Sequence, residues 1–286
     1  LPAQSDAAIP SARIATRRLN HDWWVYSFSQ LAKADAGVDT TSADTVPASG
    51  GNDEPDAADA LPDVVADAFD ARFGGTRYGV ALHAALEHAD FAAWRDWQAG
   101  DSAPNAQAGV IAEALGKEGY GAELIDDGIA LTTQLVGQTL TVPLPEGVRL
   151  CDVPAEARRP EIEFQFALQP TKVDALLTLL HAHGIVHERN GFGTRHALEG
   201  LMTGLIDLTY SHADKWYVLD YKSNRLPGYD TATMQRAMAH SEYDLQALIY
   251  TLALHRWLRF RLGAGYDYAR DFGGIRYVFC RGLDAS

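Results

Sequence analysis

Cysteine is scarce in this chain: Cys151 and Cys280 are the two among 286 residues. That is too few for a disulfide framework, a four-ligand cysteine zinc site or a four-cysteine iron–sulfur cluster within the chain. Lysine is scarce too, with five among 24 basic residues. No apolar run reaches the ~20 residues that a membrane-spanning helix needs. The first residues lack the basic-then-apolar pattern of a secretory leader. No G-x-x-x-x-G-K-[ST] phosphate loop is present. The nearest text, GVIAEALGKEG at 109–119, has the wrong spacing and no hydroxyl after the lysine. These absences exclude a nucleotide-driven motor within this sequence, and they fit a reducing, cytoplasmic setting with no membrane.

Acid is in excess, with a formal net charge of −14. Such a charge argues against a free-standing nucleic-acid binder that captures its ligand by its own field. The excess is uneven, however. Residues 1–70 hold twelve acidic and four basic residues, whereas eleven basic and ten acidic residues follow from Arg195 onward. The C-terminal half therefore has the means for a local basic surface.

Residues 1–20 read as a tail or linker, and 35–65 as a disordered insertion rich in Asp, Ala, Ser, Gly and Pro. Between them, HDWWVYSFSQLAKA (21–34) predicts a short strand, then a capping box at Ser27…Gln30 opening a short helix. Helical patterning resumes over 78–97 and 107–140, with breaks expected near Gly119–Gly121 and at Gly128. EIEFQFAL (161–168) alternates with period two, as a half-buried strand does. A helix is expected over 171–184, capped by Thr171 and stopped by Gly184. Residues 201–224 predict two strands joined by a tight turn at His212–Asp214. A long helix follows over 241–263, and then a strand over 273–282 with the pattern of a buried central position. The order implies a mixed α/β sheet flanked by helices, with an N-terminal helical part.

The hairpin carries the chemistry. Asp220 and Lys222 are two apart on one strand, so their side chains share a face. A turn near 212–214 sets Asp207 of the neighbouring strand roughly opposite Asp220. Two carboxylates ~4 Å apart repel by about 4 kcal/mol at an effective dielectric of ~20. Lys222 offsets one charge, and an oxygen-preferring divalent cation such as Mg²⁺ would offset more. That is equipment for phosphodiester hydrolysis. The competing reading is a surface ion pair, since isolated D-x-K tripeptides are common. Three other features bear on the choice. They are His83 in a G-x-x-x-H helix (79–83), Gln246 and Tyr250 four apart on one helical face, and Glu161 with Glu163 on one face of a strand. In EIEF one glutamate is an extra acid near the site, or both are solvated.

Taken in order, G-x-x-x-H (79–83), the acidic strand (161–163), GLIDL (204–208), LDYKSN (219–224) and Q-x-x-x-Y (246–250) resemble the PD-(D/E)XK nuclease superfamily. The likeness extends to its RecB-like branch, the C-terminal nuclease domain of the exonuclease V beta subunits. It covers most of 190–284 and returns at 23–34 and 74–91. The region 95–160 matches only as a generic helical block.

The resemblance implies a restriction-endonuclease-like α/β fold over 21–286 and Mg²⁺-dependent cleavage of DNA, with Mn²⁺ or Ca²⁺ also able to occupy the site. It implies His83, Asp207 and Asp220 as metal ligands, the Tyr221 backbone carbonyl as a further ligand, and Lys222 as the catalytic lysine. Gln246 and Tyr250 would be supporting residues, with Glu163 as an additional acid. The implied partners are single strands and linear ends of DNA, and RecC-like and RecD-like subunits of a helicase–nuclease complex acting in double-strand break repair. Residues 1–20 would then be the remnant of an interdomain linker from a longer protein. Two alternatives stand beside this: a non-catalytic module of the same fold that binds partners or DNA, and a stand-alone repair nuclease of the superfamily.

Overall fold

A computed structural model describes residues 23–33 and 70–283. The expected tail at 1–20 and insertion at 35–65 lie outside the described residues. The described residues open with a short strand β1 (Trp24–Tyr26) and helix α1 (Phe28–Lys33). The capping box that opens α1 is reciprocal. The Gln30 N–H donates to Ser27 Oγ at 3.3 Å, and the Ser27 N–H donates to Gln30 Oε1 at 3.1 Å. Three helices follow: α2 (Gly75–Glu87), α3 (Gln107–Lys117) and α4 (Ala122–Thr141).

The patterning over 78–97 proves to be two elements. Helix α2 ends at Glu87, and a 3₁₀ turn occupies Phe91–Trp94. The Asp90 side chain accepts from the Ala92 N–H and starts the new turn, while its own N–H donates to Gln107 Oε1. The expected break at Gly119–Gly121 is present, with Gly119 at φ +76°. The expected break at Gly128 is absent. This residue lies inside α4, where a Cβ would stand 2.9 Å from Leu115 and 3.0 Å from Phe73. Its smallness serves helix packing rather than chain reversal.

The sheet is built on β3 (Ala197–His212). One edge of β3 pairs antiparallel with β2 (Arg158–Lys172). The other pairs with β1, parallel at 200–202, and with β4 (Lys215–Lys222), antiparallel at 208–212. At Gly200, φ +148°, a Cβ would stand 1.8 Å from the Trp24 carbonyl oxygen, so only glycine lets β1 dock. The β3–β4 turn is two residues, Ala213 and Asp214, both with positive φ. That backbone suits the twist of a tight hairpin. Strand β5 (Phe272–Phe279) pairs parallel with β4 and is terminal in this sheet, not the buried central strand its composition suggested. An apolar run shows burial potential but not which neighbours the strand acquires.

Helices cover both faces. On one, Tyr78, Leu82 and Leu86 of α2, Leu115 of α3, Val136 of α4 and Trp94 of the 3₁₀ turn share a core with Leu208, Tyr217, Leu219 and Tyr221. On the other, α1, α5 (Val173–Ala182) and α7 (Tyr243–Leu262) cover Phe166, Met202, Ile206 and Val218. The long helix expected over 241–263 is α7. It is preceded by α6 (Thr231–His240), with Glu242 at φ +50° between them. Helix α5 begins after Lys172 rather than Thr171 and stops before Gly184, φ +72°. A short α8 (Tyr268–Asp271) leads into β5.

Candidate active site

The site forms where the hairpin opens. Strands β3 and β4 stay paired as far as Leu208↔Leu219. One more step of that register would set Asp207 against Asp220, as the sequence predicts. Instead the backbones part, and the Asp207 carboxylate accepts the Tyr221 N–H at 2.8 Å. Strand β4 continues beyond the fork because β5 still pairs with Asp220, Tyr221 and Lys222. In a strand, the N–H and C=O of one residue point to the same side. The Tyr221 carbonyl therefore lies on the β3 side of the strand, the side of its N–H.

Side-chain alternation also breaks at this point. Ile206 packs with the α7 layer and Leu208 with the α2 layer, although they are two apart. Across the pairing, Glu161 of β2 lies between the partners Pro160↔Leu208 and Ile162↔Ile206, with φ +48°. A non-glycine residue there marks an irregularity that re-aims a side chain. Glu161, and not Glu163, is thereby the strand acid whose carboxyl feels the cluster. Burial pushes it up to about 8, with Asp207 and Glu87 adding repulsion. Glu163 is exposed on the same strand, and its carboxylate accepts from Gln165 Nε2 at 3.3 Å. Glu87 follows His83 by one helical turn and has no counterpart in the sequence expectations, which left Glu161 and Glu163 as alternatives. A positive φ inside an alternating strand leaves no mark in residue order.

His83 comes from the middle of α2 and is 7% exposed. Its Nδ1 stands 3.5 Å from Asp207 Oδ2, and its ring meets Tyr221 edge-on. Two arginines hold α2 in this position. The Nη2 atoms of Arg225 and Arg281 donate to the Phe73 carbonyl at 2.9 and 2.7 Å, just before the helix starts. Arg281 Nε also donates to the Ser223 carbonyl at 2.9 Å. The residue after Lys222 is thus tied to the start of the helix that carries His83.

Lys222 is fully buried. Its Nζ lies 2.6 Å from Asp220 Oδ2 and donates to Gln246 Oε1 at 3.3 Å. It also sits 4.0 Å from the Tyr243 ring centroid and 5.5 Å from that of Tyr277. Gln246 Oε1 accepts from the Tyr277 hydroxyl at 3.1 Å, and Gln246 Nε2 donates to Tyr250 Oη at 3.2 Å. The ammonium is therefore caged by a carboxylate, an amide and two aromatic faces. Gln246 and Tyr250 stand together, as their spacing predicts. Tyr243 and Tyr277, both part of the cage, were not anticipated.

The carboxyls respond in opposite directions. Burial would raise Asp207, but His83, Lys222 and the Tyr221 N–H outweigh it and hold the group below its ordinary value. Burial raises Asp220, Lys222 draws it back, and Asp207 adds repulsion; the net direction is upward. Among the described residues, no three His, Cys, Asp or Glu side chains are gathered closely enough to hold a metal as they stand. The donor set nevertheless fits a hard divalent cation. Asp207 and Asp220 flank the fork, the His83 imidazole stands 3.5 Å from Asp207, and Asp207 adds to the repulsion that raises both Glu161 and Asp220, so these acids and the imidazole are the donors a hard cation would draw together.

The shift at Glu161 has a pH consequence. The folded state holds this proton more tightly than the unfolded chain, whose ordinary value is 4.5. The resulting stability is fully present below 4.5 and is lost as pH rises through about 8. Without divalent cations, the urea midpoint should fall over that window. Glu161→Gln should flatten the fall. An unchanged slope in the variant would show that Glu161 does not carry it.

A sequence profile of the PD-(D/E)XK nuclease superfamily matches residues 58–278. Curated relatives share the name RecBCD enzyme subunit RecB. The Escherichia coli (strain K12) protein is 39% identical over 158 residues, 53% of this chain and 13% of that protein. The Haemophilus influenzae protein is 39% identical over 143 residues, 48% of this chain and 12% of that protein. The Mycolicibacterium smegmatis protein is 40% identical over 95 residues, 30% of this chain and 9% of that protein. The matched region is thus 13% or less of the length of each of these relatives.

Proposed function

We propose that this chain, which belongs to the PD-(D/E)XK nuclease superfamily, is a Mg²⁺-dependent deoxyribonuclease domain that hydrolyses strands fed to it by a RecBCD-type helicase–nuclease complex. The observation that supports the reading is the fork: Asp207 accepts the Tyr221 N–H where the hairpin opens, and next to Tyr221 Asp220 is paired with Lys222, which also donates to Gln246. No helix among the described residues is long and apolar enough to cross a membrane. The relatives' printed name, RecBCD enzyme subunit RecB, supports assembly with RecC-like and RecD-like subunits, and a cytoplasmic role in double-strand break repair belongs to the same proposal. Residues 21–286 would form one nuclease domain of a longer protein.

His83, Asp207, Asp220 and the Tyr221 carbonyl would hold the cation, with Glu161 beside them. A bound divalent cation supplies positive charge to a phosphate oxygen and acidifies water. The chain's own residues do the rest. Asp207 fixes the fork by accepting the Tyr221 N–H. The Lys222 ammonium presents charge toward the developing phosphate negative charge and orients the attacking water. Gln246, Tyr243 and Tyr277 hold that ammonium in place. Water is kept from its stem because the residue is fully buried.

The test is cleavage of linear single-stranded DNA by the 286-residue chain. Cutting is expected with Mg²⁺, none with a chelator, and recovery on adding Mn²⁺. Equal cutting with the chelator present would overturn the assignment.

A further inference from the structure

The same sheet face that carries Lys222 continues into a groove of about 300 Å³ between β2 and α7. Phe164 and Phe166 line it from the strand, and Arg256, Trp257 and Phe260 from the helix, with Glu163 as the acid on its rim. The helical residues fall at the spacing of one face. Phe164 and Phe166 stack with ring centroids 5.9 Å apart, and the Arg256 guanidinium sits 5.1 Å from the Phe166 centroid. Phe260 is 85% exposed, the most exposed large apolar side chain among the described residues.

The groove joins the site through touching side chains. Phe164 meets Tyr250 edge-on at 5.9 Å, Tyr250 pairs with Gln246, and Gln246 with Lys222. Charge singles out the same stretch. In a chain of net charge −14, HRWLRFRL (255–262) carries Arg256, Arg259 and Arg261 and no acid. Among the described residues none of the three has an ion-pairing carboxylate. A favourable helix dipole accounts for Arg259 and Arg261 in the last turn of α7. It does not account for Arg256 or for a bare phenylalanine beside it.

The geometry points to a single-strand binding groove: unpaired bases stack on Phe260 and Trp257 while Arg256 and its neighbours meet the backbone, leading the strand to the fork. Alternating aromatic faces and guanidiniums are the chemistry that holds single strands without reading sequence. This rests on the nuclease reading for its direction, but its test does not.

The experiment measures anisotropy of a labelled oligothymidylate of roughly 16 nucleotides, with chelator present so that nothing is cut. Phe260→Ala is the main variant, because an exposed side chain can be removed without unfolding the protein. Arg256→Gln is the second, and Leu179→Ala on α5 is the control. Phe260→Ala should weaken binding on the order of 10-fold, the size of one lost base–aromatic stack. Arg256→Gln should flatten the salt dependence, and Leu179→Ala should match wild type. A strand of equal length lacking bases should show no dependence on Phe260. In Mg²⁺, Phe260→Ala should raise KM for the long strand with kcat held. Unchanged affinity in both groove variants overturns the proposal, as does loss of a partner subunit with DNA binding intact, which would make the face a protein interface. Groove-dependent binding without cleavage would leave the groove standing and the nuclease reading fallen. Cleavage with an unchanged KM would do the reverse.

Discussion

Lys222→Met should lower the single-turnover cleavage rate on the order of 10²–10³-fold, the usual loss when one preorganised charge at a reacting centre is removed, with DNA affinity left in place. The side chain is fully buried, and its ammonium is the cation nearest Asp220. Methionine keeps the length and the packing against Tyr243 while deleting the charge. Removing one partner of a buried ion pair ordinarily destabilises a fold strongly. Here Asp220 has an outlet, because burial already favours its neutral form. The variant should therefore fold, with its unfolding midpoint as the control. Rates that match wild type in a folded variant would return Lys222 to the role of a structural ion pair.

The second large effect is at Asp207, where two substitutions separate two roles. Asparagine keeps an oxygen that can accept the Tyr221 N–H, whereas alanine removes both oxygen and charge. Both variants should lose metal-dependent cleavage by on the order of 10²-fold or more. Calorimetric titration with Mn²⁺ should show weakened or absent binding in each. Asp207→Ala should additionally cost about 1–3 kcal/mol of stability in denaturant, because it strands a buried N–H at the fork. Asp207→Asn should lose less. If Asp207→Asn binds Mn²⁺ and cuts as wild type does, Asp207 is a structural acceptor only.

Much of this site was legible before any coordinates. The turn expected near 212–214 set Asp207 roughly opposite Asp220; in the structure the pairing ends one step short, at Leu208↔Leu219, and Asp207 takes the Tyr221 N–H instead. The four-residue spacing in α7 placed Gln246 beside Tyr250. What escaped had no periodic signal. Helix α6 buries only Thr233 and Ala237 and so lacks an apolar stripe. Glu161 was not separable from Glu163, because period-two reasoning puts both on one face. Glu161 has a positive φ where Glu163 does not, and Asp207 adds to the repulsion that raises the Glu161 carboxyl. Tyr243 and Tyr277 come from elements distant in sequence and meet at Lys222 only because α7 crosses the sheet above β4 and β5. Gly128 misled for a related reason: its missing side chain accommodates Leu115 and Phe73, which sequence spacing does not bring near.

The most direct test of the fork is a crystal of this chain soaked in Mn²⁺, examined by anomalous scattering. A peak bounded by His83, Asp207, Asp220 and the Tyr221 carbonyl, with Lys222 adjacent, is the expected result. No peak at the fork, with Asp220 still closed on Lys222 and the same crystals binding Mn²⁺ elsewhere, would contradict the proposal that these residues form a metal-dependent nuclease centre.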